Sequence, residues 1–171
     1  MHRGRFVRVP DASDVRPTPD RVRETLFNWL GQDLSGLRTL ELYAGTGVLS
    51  LESLSRGAAH AVAVDRSRAT AQSLRAAAAM LEMPMLEIHV ADAKAYLDRE
   101  SRTFDVVYLD PPFAEDPWTW LLPACAARID ARGYIYAEAD HALTPPPSLS
   151  VHRHARAGQV HYHLLIRSED A

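Results

Sequence analysis

The stretch Arg38-Thr39-Leu40-Glu41-Leu42-Tyr43-Ala44-Gly45-Thr46-Gly47 decides the fold. Residues 38–43 have strand character, and the chain then runs into two glycines separated by one residue. Glycine has no side chain to clash, so backbone at such a turn can approach a ligand closely. A helix starting after the turn, capped near Thr46, would point its amide end at that ligand. The dinucleotide fingerprint G-x-G-x-x-G asks for a third glycine where this chain has Ser50, so that match is incomplete.

Outward from this turn, short apolar runs alternate with helix-like stretches. Strands are predicted at 60–65, 85–90, 104–109 and 132–138 as well as at 38–43, with helix-period residues at 48–57, 67–81, 92–100 and 116–129. This alternation predicts an α/β fold, a parallel sheet covered by helices on both faces. Segments 149–156 and 159–166 flank Gly158 with no helix between them and read as an antiparallel hairpin. Ahead of the first strand, Thr18 and Pro19 suit the cap and first position of a helix, with Val22, Leu26, Trp29 and Leu30 as its buried stripe. Arg21, Glu24 and Asn28 share another of its faces. That face reads equally well as solvated surface or as a polar wall of a site.

The chain has 171 residues, 47% of them hydrophobic, enough for one domain with a sizeable core. The expected organisation is a domain over 1–171, with a basic arm and helix at 1–31 and a catalytic core at 38–167. Cys125 is the only cysteine, so no intrachain disulfide can form, which suits a reducing cytoplasm. No apolar run reaches the roughly 18 residues of a membrane span, and the amino terminus lacks a signal peptide's apolar stretch. Net charge is −3, but the distribution says more than the sum. Arg3, Arg5, Arg8, Arg16, Arg21 and Arg23 crowd the first 23 residues. Residues 149–167 hold Arg153, Arg156, Arg167 and four histidines with no acid. Both ends are basic and the middle acidic, as expected if the ends flank a phosphate-bearing substrate. A solvated surface is the plainer alternative.

The strand predicted at 104–109 ends in Asp110-Pro111-Pro112-Phe113. A carboxylate, two stiff turn residues and an aromatic ring at a strand's end can grip a planar nitrogenous base. The Asp110 carboxylate and the Pro111 carbonyl are acceptors for the two hydrogens of an exocyclic amine. They would stabilise the charge developing on that nitrogen during methyl transfer. Proline cannot donate a hydrogen bond, and its ring keeps those acceptors aimed. Phe113 offers a face for an extracted base. Taken alone, Asp-Pro-Pro could equally be an ordinary strand-exit turn. Acids at successive strand ends complete the pattern. Glu41 can face a cofactor ammonium, Asp65 can accept from ribose hydroxyls, and Asp92 can meet an adenine amine or simply cap a helix. The whole reads as an S-adenosylmethionine (SAM)-dependent amino-methyltransferase acting on a nucleic-acid base. His152 and His154 are predicted to share one strand face, and His161 and His163 the next. Zinc sites usually mix in cysteine or carboxylate, so a basic or polar surface is expected there and no metal.

The blocks RPTPDRVRETLFNWL, ELYAGTGVLSLESLSRGA, VVYLDPPF and GQVHYHLL resemble those of the RsmD family of 16S ribosomal RNA guanine-N2 methyltransferases, from the start of the chain to about residue 167. The first block is the most specific. The resemblance implies a class I methyltransferase fold, Rossmann-like, with a doubly wound seven-stranded sheet ending in an antiparallel hairpin. It implies SAM as methyl donor and a guanine N2 of 16S rRNA as acceptor, in the small ribosomal subunit or an assembly intermediate. It assigns Asp110, Pro111, Pro112 and Phe113 to catalysis and base holding. It assigns Glu41, Tyr43, Ala44, Gly45, Thr46 and Gly47, with Asp65, Asp92 and its neighbour Ala93, to the cofactor. Tyr43 and Thr46 stand where the family often has phenylalanine and serine. Relatives usually carry a further strand before the segment matching Arg3-Gly4-Arg5, so a chain starting at Met1 is expected to lack it. A cytoplasmic monomer is expected. The rivals are a DNA adenine-N6 methyltransferase, which would need a separate DNA-recognition region, and a non-catalytic RNA-binding or assembly protein on the same fold.

Overall fold

A computed structural model of the protein describes residues 20–169. The predicted cap at Thr18 and Pro19, and Arg3, Arg5, Arg8 and Arg16, lie outside the described residues. Helix α1 (Asp20–Leu30) precedes the alternation β1 (Arg38–Leu42), α2 (Val48–Ser55), β2 (His60–Asp65), α3 (Arg68–Met80), β3 (Leu86–Val90), α4 (Ala93–Arg99) and β4 (Phe104–Leu109). After a short 3-10 turn at Phe113–Glu115 come α5 (Trp118–Ala126), β5 (Ile129–Ala139), β6 (Leu149–Ala157) and β7 (Val160–Arg167). The strands form a seven-stranded sheet in the order β3-β2-β1-β4-β5-β7-β6. The β5–β7 and β6–β7 pairs are antiparallel and the others parallel, as the sequence predicts.

Central strands of a parallel sheet are covered on both faces, and their residues are accordingly buried throughout: Leu40, Leu42, Val62, Val64, Val106 and Leu109 are each inaccessible. One face is packed by α1, α2 and α3, through Val22, Leu26, Phe27, Leu49, Leu54 and Leu74 among others. The other is packed by α4 and α5, through Tyr96, Leu97, Leu121, Leu122 and Cys125. The order reverses direction between β1 and β4, and a sheet of this kind places its crevice outside the carboxyl ends of those strands.

Several boundaries differ from the sequence reading. The first strand stops at Leu42, because Tyr43 takes φ 55° and leaves the extended conformation. The cap of α2 is Gly47 at φ 70°, with no side-chain hydrogen bond, so Thr46 is not the cap. In α1 the buried stripe is Val22, Leu26 and Phe27, with Trp29 and Leu30 only partly covered. Phe27 is inaccessible, with the Arg56 guanidinium 4.4 Å from its ring centre. The predicted helix at 116–129 shortens to α5, because Asp116 takes φ 41° ahead of Pro117. Strand β5 starts three residues earlier than expected. Ile129 pairs with Phe104 before a register shift, and the tight contacts around Gly133 (3.1 Å from a built Cβ to the Asp105 carbonyl) let the two strands close up.

No helix among the described residues is long and apolar enough to cross a membrane.

Candidate active site

Tyr43, Gly45 and Gly47 all have positive φ (55°, 56° and 70°), which folds the backbone after β1 into a tight loop. The Gly47 N–H closes it on the Ala44 carbonyl at 2.8 Å, and the Ala44 N–H ties it to β2 through the Val64 carbonyl at 2.9 Å. A Cβ on Gly47 would lie 2.5 Å from the buried Leu74 side chain, so both the φ and the packing of α3 require glycine there.

Asp65, at the end of β2, holds this loop from the side. One carboxylate oxygen accepts the Gly45 N–H at 2.9 Å, and the other accepts the Ser67 N–H, also at 2.9 Å. Each oxygen keeps a second acceptor site, because a carboxylate offers about four. Ser67 in turn caps α3 by accepting from the Thr70 N–H at 3.2 Å. Asp92 caps α4, its carboxylate accepting the Ala95 N–H at 3.3 Å, and it also faces the cavity described below. The helix-cap reading of Asp92 therefore holds, and its place on the cavity leaves the carboxylate accessible to a ligand.

Glu41 is 5% exposed and accepts from both the backbone N–H (3.0 Å) and the hydroxyl (2.7 Å) of Ser50. Where a dinucleotide turn would carry its third glycine, this chain carries the serine that positions Glu41. Burial pushes the Glu41 carboxyl up to about 7, against the opposing pull of the Ser50 hydrogen bonds. A buried carboxylate poised there is a natural partner for a cationic group, which would supply the missing counter-charge. The Tyr43 phenol is raised beyond its ordinary range, first by burial and then by the nearby charges of Glu115 and Asp92.

These groups open onto one cavity of about 710 Å³. Its lining includes Glu41, Tyr43, Ala44, Gly45, Thr46, Asp65, Asp92 and Ala93, from the ends of β1, β2 and β3, together with Asp110, Pro111, Pro112 and Phe113, which follow β4 next to β1 in the sheet. Every residue predicted for cofactor or catalysis lies there except Gly47, which shapes the turn. The size is ordinary for a site that takes a cofactor-sized ligand. Positive-φ backbone and a set of strand-end acids suit the hydroxyls and cationic group of a nucleoside with an amino-acid tail, and the amide end of α2 suits that tail's carboxylate.

After β4, Pro111 is buried, Pro112 exposed and Phe113 half-buried. The Glu115 N–H donates to the Pro112 carbonyl at 3.0 Å, which folds the segment after Asp110 into its short helical turn. Parallel pairing sets Leu109 opposite Ala137, so Glu138, the next residue on β5, comes level with Asp110. Glu138 is 2% exposed and accepts the Tyr136 hydroxyl at 2.5 Å. Sequence reading missed Glu138, Ser50, Ser67 and Arg66. The Arg66 guanidinium meets the Glu115 carboxylate at 2.9 Å, linking the loop after Asp65 to the loop after Phe113. Arg66 is mostly exposed, so the pair tethers these loops with at most about 1 kcal/mol.

Among the cations predicted to meet a phosphate-bearing partner, Arg21 is exposed on α1 and Arg23 pairs with Asp20 at 2.7 Å. Trp118 and Trp120 pack partly against the α4–α5 face and neither lines the cavity. The Lys94 ammonium sits 6.0 Å over the Trp120 ring. His161 and His163 share a face as expected, although His163 is buried rather than on a surface, whereas the expected shared face of His152 and His154 is corrected by a bulge between Val151 and Arg153. It turns His152 toward Tyr134 (ring centres 6.2 Å apart), while His154 stacks on His163 at 4.6 Å. Among the described residues, no group of three or more His, Cys, Asp or Glu side chains is placed to hold a metal.

The family described as "Conserved hypothetical protein 95" matches residues 1–166 of the chain. The Ribosomal RNA small subunit methyltransferase D of Escherichia coli K12 is 37% identical over 96% of this chain and 86% of its own length. The chain belongs to the RsmD family. The protein of the same name from Haemophilus influenzae is 32% identical over 96% of this chain and 89% of its own length. The solved structure of Escherichia coli yhhF superposes on this RsmD-family chain with a TM-score of 0.86 at 36% identity, covering 97% of this chain and 93% of that one.

Two buried groups give the family fold here a pH signature. His163 is 1% exposed, and its Nε2 accepts the Leu143 N–H at 3.1 Å, so its proton sits on Nδ1 and is donated to the Ala137 carbonyl at 3.0 Å. Burial pushes this imidazole down to about 4. Unfolded, it would take a proton near 6.5, so its contribution is complete above about 6.5 and is lost as pH falls toward 4. Glu41 has the opposite sign: its folded carboxyl is raised from 4.5 to about 7, so its contribution is complete below 4.5 and is lost as pH rises through 7. Urea unfolding of the ligand-free protein should therefore show Glu41→Gln gaining stability relative to wild type between pH 4.5 and 7. A constant difference across that window would show that Glu41 is not held protonated by burial.

Proposed function

We propose that the protein transfers a methyl group from SAM to the exocyclic N2 of a guanine in 16S rRNA, within the small ribosomal subunit or an assembly intermediate. The observation that carries this reading is the shared cavity. The Glu41–Thr46 segment, Asp65 and Asp110–Phe113 all line it, and the strands they end, β1, β2 and β4, are neighbours, so donor and acceptor would meet within one space.

SAM, when bound, supplies an electrophilic methyl on a sulfonium. Asp65 accepts from the ribose hydroxyls while bridging the Gly45 and Ser67 amides, which holds the loop and the sugar in one arrangement. Glu41 takes the charge of the amino-acid end, with Ser50 fixing its carboxylate. Tyr43, Asp92 and Ala93 border the base of the nucleoside. On the acceptor side, Asp110 and the Pro111 carbonyl accept the two N2 hydrogens, and Phe113 stacks on the guanine. An exocyclic amine is a weak nucleophile because its lone pair is delocalised into the ring. Holding it in line and countering the charge that develops on it is the main help a protein can give. Asp110, already accepting from that amine, takes the proton released once the methyl has transferred. Arg3, Arg5, Arg8, Arg16, Arg21 and Arg23 contribute phosphate contacts to the RNA.

The test is incubation of the protein with radiolabelled SAM and small ribosomal subunits from cells lacking this activity, followed by digestion to nucleosides. Label in N2-methylguanosine from 16S rRNA is the expected outcome. Label in another nucleoside, or in DNA adenine instead, would refute the assignment.

A further inference from the structure

The β6–β7 hairpin carries a cationic and histidine-rich surface that the cofactor cavity does not use. Strand β7 runs antiparallel to β5 and pairs His161 with Ala139, so the hairpin's turn at Gly158 lies at the same end of the sheet as Asp110. With strands about 4.8 Å apart, β7 and β6 stand roughly 10 and 14 Å from β4. On β6, the sheet's edge strand, His152, Arg153, His154 and Arg156 are all exposed. No carboxylate occurs anywhere between residues 149 and 167.

The hairpin tip is built, not merely solvated. The Arg156 Nε donates to the Gly158 carbonyl at 2.8 Å, which holds the guanidinium over the turn with four of its five donors still to place. His163, pinned between Leu143 and Ala137, forms a neutral floor on which His154 stacks with planes 10° apart. The His154 and His161 rings lie 13° from parallel, with Nε2 of one 3.0 Å from Nδ1 of the other. In the neutral pair one N–H lies in that contact and one sits on an outward nitrogen, so a proton taken up goes to the remaining outward nitrogen.

We propose that this hairpin is an RNA-docking surface, on which Arg153 and Arg156 hold backbone phosphates and the His154–His161 pair takes up a proton as a phosphate arrives. The inference rests on the rRNA reading above and adds where, and with what pH dependence, the RNA is held. The groups facing His161 are His154 and Arg156 on β6, His163 on its own strand, and His141 and Asp140 in the loop after β5. Burial first, and then the neighbouring imidazoles and the Arg156 guanidinium, hold the free His161 imidazole below its ordinary value. Asp140 is the one acid, and it is engaged by His141 at 2.7 Å. A phosphate would reverse that balance and draw the proton in. An edge strand rich in arginine and histidine also discourages edge-to-edge sheet pairing, but that role requires no response to RNA.

Binding of the full chain to a 16S rRNA transcript, measured against salt at pH 7.5 and pH 6.0, tests this. In wild type the slope of log K against log salt should steepen by about one from pH 7.5 to 6.0, as one further cation is engaged. His154→Gln with His161→Gln should abolish that change. Arg153→Ala with Arg156→Ala should make the slope shallower by one to two at both pH values. Since all four side chains lie away from the cofactor cavity, SAM affinity should be unchanged and serves as the check on folding. Wild-type slopes in both double variants would overturn the proposal. Variants that lose affinity for assembled subunits but keep wild-type slopes on the naked transcript would point to a ribosomal protein as the partner, and would also overturn it. Methyl transfer by wild type to the same RNA separates the two levels: transfer with unaltered hairpin slopes removes only the hairpin assignment, whereas label in a different nucleoside removes the rRNA guanine reading.

Discussion

Asp110→Ala is expected to slow methyl transfer by about 10²–10³-fold while leaving SAM affinity nearly intact, the loss typical of one preorganised transition-state contact. The reasoning is positional. Asp110 follows β4, while the residues proposed to hold the cofactor follow β1 and β2, all of them lining one cavity. Removing its carboxylate therefore takes away an acceptor for the amine without disturbing the cofactor's own partners. Glu138, level with Asp110 on β5 and buried against Tyr136, cannot substitute, because it is 2% exposed and does not line the cavity. Single-turnover rates with saturating SAM and small subunits would measure the effect. A rate equal to wild type would remove Asp110 from the chemistry.

Asp65→Ala is the second large effect, and here binding falls. The substitution removes the proposed ribose acceptor, a change worth about 1–3 kcal/mol, or roughly 5- to 150-fold in SAM affinity. It also leaves the Gly45 and Ser67 amides without the carboxylate that both now donate to. The upper part of that range is therefore expected. Asp65→Asn should not restore affinity, because one end of an amide would turn a donor toward one of those N–H groups. Calorimetric titration with SAM checks both variants. An affinity within twofold of wild type in Asp65→Ala would exclude the residue from the site.

The glycine turn was legible in the sequence because positive φ at Gly45 and Gly47 is a demand that glycine meets locally. The strand-end acids were legible for a related reason: in a parallel sheet, the carboxyl ends of the strands converge on one edge, so Glu41, Asp65, Asp92 and Asp110 could be placed from strand periodicity alone. The hairpin was marked by Gly158 and the absence of a helix. What escaped were partnerships between segments far apart in the chain. The bond from Asp65 to the Gly45 amide, the pairing of Arg66 with Glu115 and the alignment of Glu138 with Asp110 follow from register and loop path, which periodicity does not encode. Ser50 was visible only as a missing glycine, since its role depends on one turn of helix bringing it back over Glu41. The facing of His152 failed for a different reason. A single bulge residue inverts the side-chain alternation of a strand, and nothing in the composition of β6 marks where it falls.

A crystal structure with S-adenosylhomocysteine bound is the most direct measurement of the arrangement proposed here. The expected result has the ribose hydroxyls on the Asp65 carboxylate, the amino-acid end beside Glu41, and the sulfur directed toward Asp110 across the cavity. A ligand seated elsewhere, or one with its sulfur turned away from Asp110, would contradict the assignment of these residues.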